Sequence, residues 1–330
     1  MKILDKQFLK IAKIGIAIQS RDLLSIMDEP EKRLLKPFLT HPKSDKDYFS
    51  VNAGFVCEDM KINNQNAIFL LKKIRRDFPY RTSSAAKATL RFFKNNWLPF
   101  LKNNIDKDCL LIMTPYSFFI FNKKLRRCNI LLKKSKILFR KSALPAYLHF
   151  LATLKILFRF ILSSRNNGIL LHASSFKNKG SGYVFMGSSG YGKSTIVKML
   201  GVENALSDDA TIIEKIGKKY LIFATPWNRS CSIKMRALRN GAVLKAIFLI
   251  EKSDKTEIKK IGYKEALEEL LYSDNPFQQI GFFDNKSGIK GFYLFSENMI
   301  RQIPVFKLYI KKHEGFKKEF KNLLSIYNLG

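Results

Sequence analysis

Gly187-Ser188-Ser189-Gly190-Tyr191-Gly192-Lys193-Ser194 fits the pattern G-x-x-x-x-G-K-[ST] without a gap. The chemistry such a segment serves is phosphate binding. Its glycines let the backbone curl so that successive N–H groups face phosphate oxygens, and the helix that follows adds its positive end. Lys193 is expected to reach the β- and γ-phosphates, and the Ser194 hydroxyl to ligate Mg²⁺. Thr195 closes the segment, so residues 187–195 are read together as an ATP-binding loop. An apolar strand, YVFM (183–186), enters it, and a helix from Lys193 to about Leu200 leaves it.

Two further features carry chemistry. Asp208-Asp209 follows Lys193 by 15 residues, room for a helix, a turn and a returning strand. One carboxylate of the pair can hold Mg²⁺ while the other takes a proton from an acceptor hydroxyl, and the metal reading falls on Ser194 with Asp209. His172 ends the strand before the loop strand, and a hairpin between the two would bring it near the phosphates. The catalytic candidates are therefore Lys193, Asp208, Asp209 and His172. After FATPW, Trp227 is read as core in preference to a stacking platform, and Arg229 and Lys234 as cations available to a phosphoryl group.

The ordered pieces GILLHAS, GYVFMGSSGYGKST, ALSDDA, FATPW and AIFLIEK, with the later IPVFKLYIK, resemble the HPr kinase/phosphorylase family and its phosphoenolpyruvate-carboxykinase-like relatives over about residues 143–312. The resemblance implies an α/β nucleotide-binding fold, ATP and Mg²⁺ at Lys193 and Ser194, proton transfer at Asp208 or Asp209, and a functional His172. Strict HPr kinases carry Ser-Glu after the loop lysine, whereas this chain has Ser194-Thr195. The implied activity is thus a kinase acting on a peptide, protein or small-molecule hydroxyl, with a non-catalytic ATP-binding module as the alternative. A small keto-acid carboxykinase is disfavoured by the short chain.

Positioning such a site takes a second unit of α/β type, residues 143–330, behind a smaller α+β unit, residues 1–142. In the first, residues 8–18 and Phe49–Cys57 read as strands. Asn66–Phe78 and Ser83–Asn103 read as helices, and Cys109–Met113, Ser117–Asn122 and Asn129–Leu138 as short strands. In the second, Pro145–Ser164 has helical spacing, followed by strands at 168–174, 183–186, 205–213, 219–227, 230–235, 243–251 and 303–311. Helices are read at Tyr263–Tyr272 and Gly315–Tyr327.

The chain has 330 residues, 46% of them hydrophobic, enough for a sizeable core and incompatible with a wholly disordered basic protein. Its net charge of +32 is uneven: no carboxylate lies between Asp108 and Glu203, a stretch that contains the phosphate loop. That field favours polyanions, a nucleotide first and an acidic peptide or protein second. No aromatic or zinc-based nucleic-acid motif supports a nucleic-acid partner. Four scattered cysteines without a CxxC pair fit free thiols. Lys13 interrupts the apolar start, and Lys155 and Arg159 interrupt the most apolar helix, so neither a signal peptide nor a membrane span is expected. The expectation is a cytoplasmic protein.

Overall fold

The structure, a computed structural model, describes residues 5–20, 49–56, 109–113, 117–122, 127–133, 138–139, 142–143, 146–188, 190–227, 241–273, 281–282, 286–311 and 313–329. The helices expected at Asn66–Phe78 and Ser83–Asn103 and the strand at 230–235 lie outside these residues. The chain divides into two compact units, Met1–Ile156 with Pro276–Asn285, and Leu157–Asn275 with Lys286–Gly330.

The first unit holds β1 (Asp5–Ile11), β2 (Ile14–Ser20), β3 (Phe49–Val56), β4 (Cys109–Met113), β5 (Ser117–Asn122) and β6 (Arg127–Lys133). With the short Gly281–Phe282 strand they form one sheet in the order β1-β2-β3-β6-β5-β4 and then that strand. Residues 8–18 are not one strand, because Ala12 takes a left-handed φ of 55° and turns the chain into the β1–β2 hairpin. A small ribbon pairs β7 (Leu138–Phe139) with β8 (Ser142–Ala143).

The α1 helix (Ala146–Arg165) precedes the strands of the second unit. These are β9 (Gly168–Leu171), β10 (Ser174–Asn178), β11 (Ser181–Met186), β12 (Ala205–Ser207), β13 (Thr211–Ile216), β14 (Lys219–Phe223), β15 (Ala242–Lys252) and β16 (Glu257–Lys260). In chain order the Gly281–Phe282 strand is β17, and β18 (Val305–Ile310) completes the second sheet. The helices are α2 (Lys193–Leu200), α3 (Tyr263–Ser273), α4 (Lys286–Ile300) and α5 (Phe316–Ile326). The unit is mixed α/β. Its sheet runs β12-β10-β11-β15-β14-β13-β9 and curls, because β9–β10 and β12–β13 are each continuous in sequence and lie antiparallel to one another.

β15 organises this sheet. Its first residues pair with β14, its length runs parallel to β11, and its second half runs parallel to β18. Strands flanked on both sides and covered on both faces read as near-continuous apolar runs, which is what YVFM and AIFLI are. On one face Phe248 meets Phe185, Phe306 and Phe320 at centroid distances of 5.6, 5.6 and 5.3 Å. Ile196, Val197 and Leu200 of α2 and Phe316, Phe320 and Leu324 of α5 join the same cluster, so the helix that follows the glycine-rich loop is anchored in the core. β16 and α4 escaped the sequence reading. β16 is four residues long and pairs only through β18, and α4 carries Gly288 and Gly291 in its first turns, which weaken its helical pattern.

Two buried tyrosines respond in opposite ways to losing their hydroxyl. Tyr183 Oη donates to the Leu329 carbonyl at 2.5 Å, whereas Tyr220 Oη is buried with no hydrogen-bond partner. Tyr183→Phe should cost about 1 kcal/mol in urea unfolding, and Tyr220→Phe should be neutral or stabilising. Burial also pushes both hydroxyls above the ordinary tyrosine range. Below about pH 10 this contribution is fully present. As pH rises further the unfolded chain loses protons that the folded one keeps, so stability should fall, and less steeply in the double Phe variant.

Candidate functional site

The loop leaves β11 and enters α2 through glycines that only an unbranched backbone serves well. Gly187, Gly190 and Gly192 have φ of 152°, 85° and 98°. At Gly187 space matters too, because a Cβ there would sit 3.3 Å from the Ile250 carbonyl and 3.6 Å from Tyr191 Cβ. The turn closes with Tyr191 N–H donating to the Ser188 carbonyl at 3.2 Å, and α2 starts with Ile196 N–H donating to the Gly192 carbonyl at 2.9 Å.

Lys193 is buried at 7% exposure, and its Nζ donates to the Gly187 carbonyl at 2.6 Å and the Ser188 carbonyl at 3.2 Å. Its ammonium therefore lies inside the loop, held by two of the loop's own carbonyls. Ser194 and Thr195 are half-buried on the first turn of α2, and Ser188 and Gly190 are exposed. Ser189 lies outside the described residues, as do Arg229 and Lys234. Trp227 is core, edge-on to Phe158 at 5.4 Å.

The expected strands at 168–174 and 205–213 are each broken once, and the breaks face each other. β9 stops at Leu171 and β10 starts at Ser174, leaving His172 and Ala173 between them. β12 stops at Ser207 and β13 starts at Thr211, leaving Asp208, Asp209 and Ala210. Thr211 pairs with Leu171 and Ser207 with Ser175, so both gaps fall at one point of the sheet. There His172 Nδ1 lies 3.0 Å from the Asp209 carbonyl and 3.4 Å from Asp209 Oδ1. With its proton on Nδ1 the ring donates to this residue and presents Nε2 as an acceptor. Asp208 and Asp209 are both buried, at 5% and 8% exposure.

Buried hydroxyls hold the gap open, and the sequence reading passed over them. Ser207 Oγ accepts from Ala210 N–H at 3.0 Å and donates to the Ala210 carbonyl at 2.6 Å, while Thr225 Oγ1 donates to the same carbonyl at 2.5 Å. Thr211 Oγ1 bridges to the Ala173 carbonyl and to Ser175 Oγ, each at 3.0 Å. Ser174 Oγ donates to the Lys193 carbonyl at 2.9 Å, tying the strand beside His172 to the start of α2. The signal was available in the small hydroxyl residues of HASS, SDDAT and FATP, whose side chains satisfy the backbone that a broken strand leaves unpaired.

Among the described residues no group of three or more His, Cys, Asp or Glu side chains forms a metal-holding cluster. Mg²⁺ fits this donor set in another way, since it keeps waters and binds one or two protein oxygens together with substrate phosphates. No helix among the described residues is long and apolar enough to cross a membrane.

A family profile described as SynChlorMet cassette protein ScmC matches residues 141–325. Among solved structures, the chain is similar to the Hpr(Ser) kinase/phosphatase from Coxiella burnetii. The identity is 11% and the TM-score 0.29, over 48% of this chain and 96% of that one. No curated protein matches the chain.

The hydroxyl network makes a measurable claim. Thr225→Val keeps the shape and removes the donor to the Ala210 carbonyl, and should lower stability by about 1–2 kcal/mol. Chemical-denaturation midpoints against wild type, with an unchanged m-value, check it.

Proposed function

The chain belongs to the family described as SynChlorMet cassette protein ScmC, and from that premise we propose that it is an ATP-dependent phosphotransferase. The observation that carries this reading is the pair of facing strand breaks. They put His172 against Asp209, while Ser174 links the same region to the first residue of the phosphate-loop helix. A structural strand pair needs no such gap. A site that presents two carboxylates and an imidazole beside a phosphate loop does.

On this reading residues 187–195 bind the phosphates of ATP, and the nucleotide-binding part spans 143–330, with 1–142 in a separate and unassigned role. Lys193 exchanges the Gly187 and Ser188 carbonyls for β- and γ-phosphate oxygens and stabilises charge on the transferred group. Ser194 and Asp209 would hold Mg²⁺, which supplies neutralising charge at the phosphates. Asp208 takes the proton from the acceptor hydroxyl as its oxygen bonds to the γ-phosphorus and the bond to the β-phosphate oxygen breaks, releasing ADP. His172 orients Asp209 through Nδ1. The fold is of the HPr-kinase and phosphoenolpyruvate-carboxykinase kind, and the acceptor is a hydroxyl on a peptide, a protein or a small molecule. The family's description as a cassette protein directs the search for that acceptor to products encoded beside it.

Calorimetric titration with Mg²⁺ and ATP tests the first step. Wild type should bind, and Lys193→Ala should weaken binding at least tenfold, by roughly 1.4 kcal/mol or more. Asp208→Asn should still bind ATP yet lower transfer to an accepted substrate by about 10²–10⁴-fold. Asp209→Asn should in addition raise the Mg²⁺ concentration needed. Failure of the wild type to bind nucleotide would sink the proposal, and binding without transfer to any product of the cassette would favour a regulatory module.

A further inference from the structure

We propose that Lys252, at the carboxyl end of β15, is a second phosphate-contacting cation of the loop, which reads the charge of a nucleoside di- or triphosphate. The inference rests on reading residues 187–195 as a nucleotide site and adds to it a residue outside the loop motif.

β11 and β15 run parallel with Met186 opposite Leu249, so the loop departs from β11 alongside the last residues of β15. Proximity continues past the strand, because a Cβ at Gly187 would sit 3.3 Å from the Ile250 carbonyl and 3.6 Å from Tyr191 Cβ. Phe248 and Ile250 face the core that contains Ile196 and Val197 of α2. With a strand's period of two, Lys252 leaves on that same side, the side of the loop helix. Its Nζ is found 5.9 Å from the centroid of the Tyr191 ring, which is 41% exposed.

The contrast with neighbouring lysines is one of charge. Lys307, on β18, is bound by Glu265 at 2.8 Å and lies 3.6 Å from Glu251, and Lys255 is bound by Glu257 at 2.7 Å. Among the described residues Lys252 makes no ion pair, and its neighbour is an aromatic face. An ammonium over an exposed ring is weakly held, whereas a charge-assisted bond to a phosphate oxygen is among the stronger ones available to it. Lys193 reaches the loop from inside and Lys252 from the rim, so the two cations approach a polyphosphate from different directions. Because an ammonium acts as a point charge, its contribution should grow with the number of phosphates.

The test is the affinity of wild type, Lys252→Met and Lys252→Arg for ATP, ADP and AMP, measured by calorimetry at two salt concentrations. Lys252→Met should weaken ATP binding about tenfold and AMP binding less than about twofold, with a shallower salt dependence of ATP affinity. Lys252→Arg should stay within about threefold of wild type for ATP, since the charge is retained. Thermal unfolding of both variants at the wild-type midpoint confirms that the folded state is the one titrated. Wild-type binding of ATP with unaltered affinity in Lys252→Met, or an equal loss for ATP and AMP, overturns the inference alone. Absence of nucleotide binding in wild type overturns the nucleotide reading and this inference with it.

Discussion

The second unit depends on one constraint, that backbone polar groups leaving a ladder inside a protein must find partners. Two adjacent antiparallel strands stop pairing at the same level, at 172–173 and at 208–210. Elsewhere in a sheet this would leave carbonyls and amides buried without partners. Here Ser207, Thr211 and Thr225 bond the Ala173 and Ala210 backbone with their hydroxyls. The gap thereby becomes stable, and two carboxylates and an imidazole occupy backbone that a regular ladder would have flattened.

The rest of the unit keeps that gap beside the glycine-rich loop. β10 and β11 form a hairpin, so the strand that starts just after His172 and Ala173 returns as the strand that ends at Met186, before Gly187. Ser174 then bonds the Lys193 carbonyl, fixing the first turn of α2 against the same hairpin. α2 in turn is held by apolar contact with α5 across the aromatic cluster around Phe248 and Phe320. Displacing α5 would therefore be felt at the loop through this packing.

Much of this was legible in the residues. The strands at YVFM and AIFLI, the helix at Lys193–Leu200 and the closing helix followed from apolar periodicity and glycine placement. The strand breaks were marked only by the Asp pair and the small hydroxyl residues of HASS and SDDAT, which an apolar period-two pattern does not weigh. What holds the second break is partly local, Ser207 Oγ on the Ala210 backbone, and partly tertiary, a hydroxyl from Thr225 that is 15 residues away from Ala210. The β1–β2 hairpin was hidden for a related reason: its turn is at Ala12, a residue that carries no turn chemistry and takes a left-handed φ only because the flanking strands pair. Composition gave the sign of the charge but not its use, since Lys307 and Lys252 look alike in sequence and differ only in their neighbours.

The placement of β15 also has a kinetic side. Its parallel partners are β11, some 60 residues earlier, and β18, some 60 later, both read from the pairings. Loop closure over such separations must precede the contacts that reward it, so this sheet assembles late and as a whole. Until β18 arrives, one edge of the strand that borders the glycine-rich loop has no partner along its second half. A growing chain thus carries an apolar, unpaired edge before the native sheet closes, which leaves AIFLI open to wrong pairing.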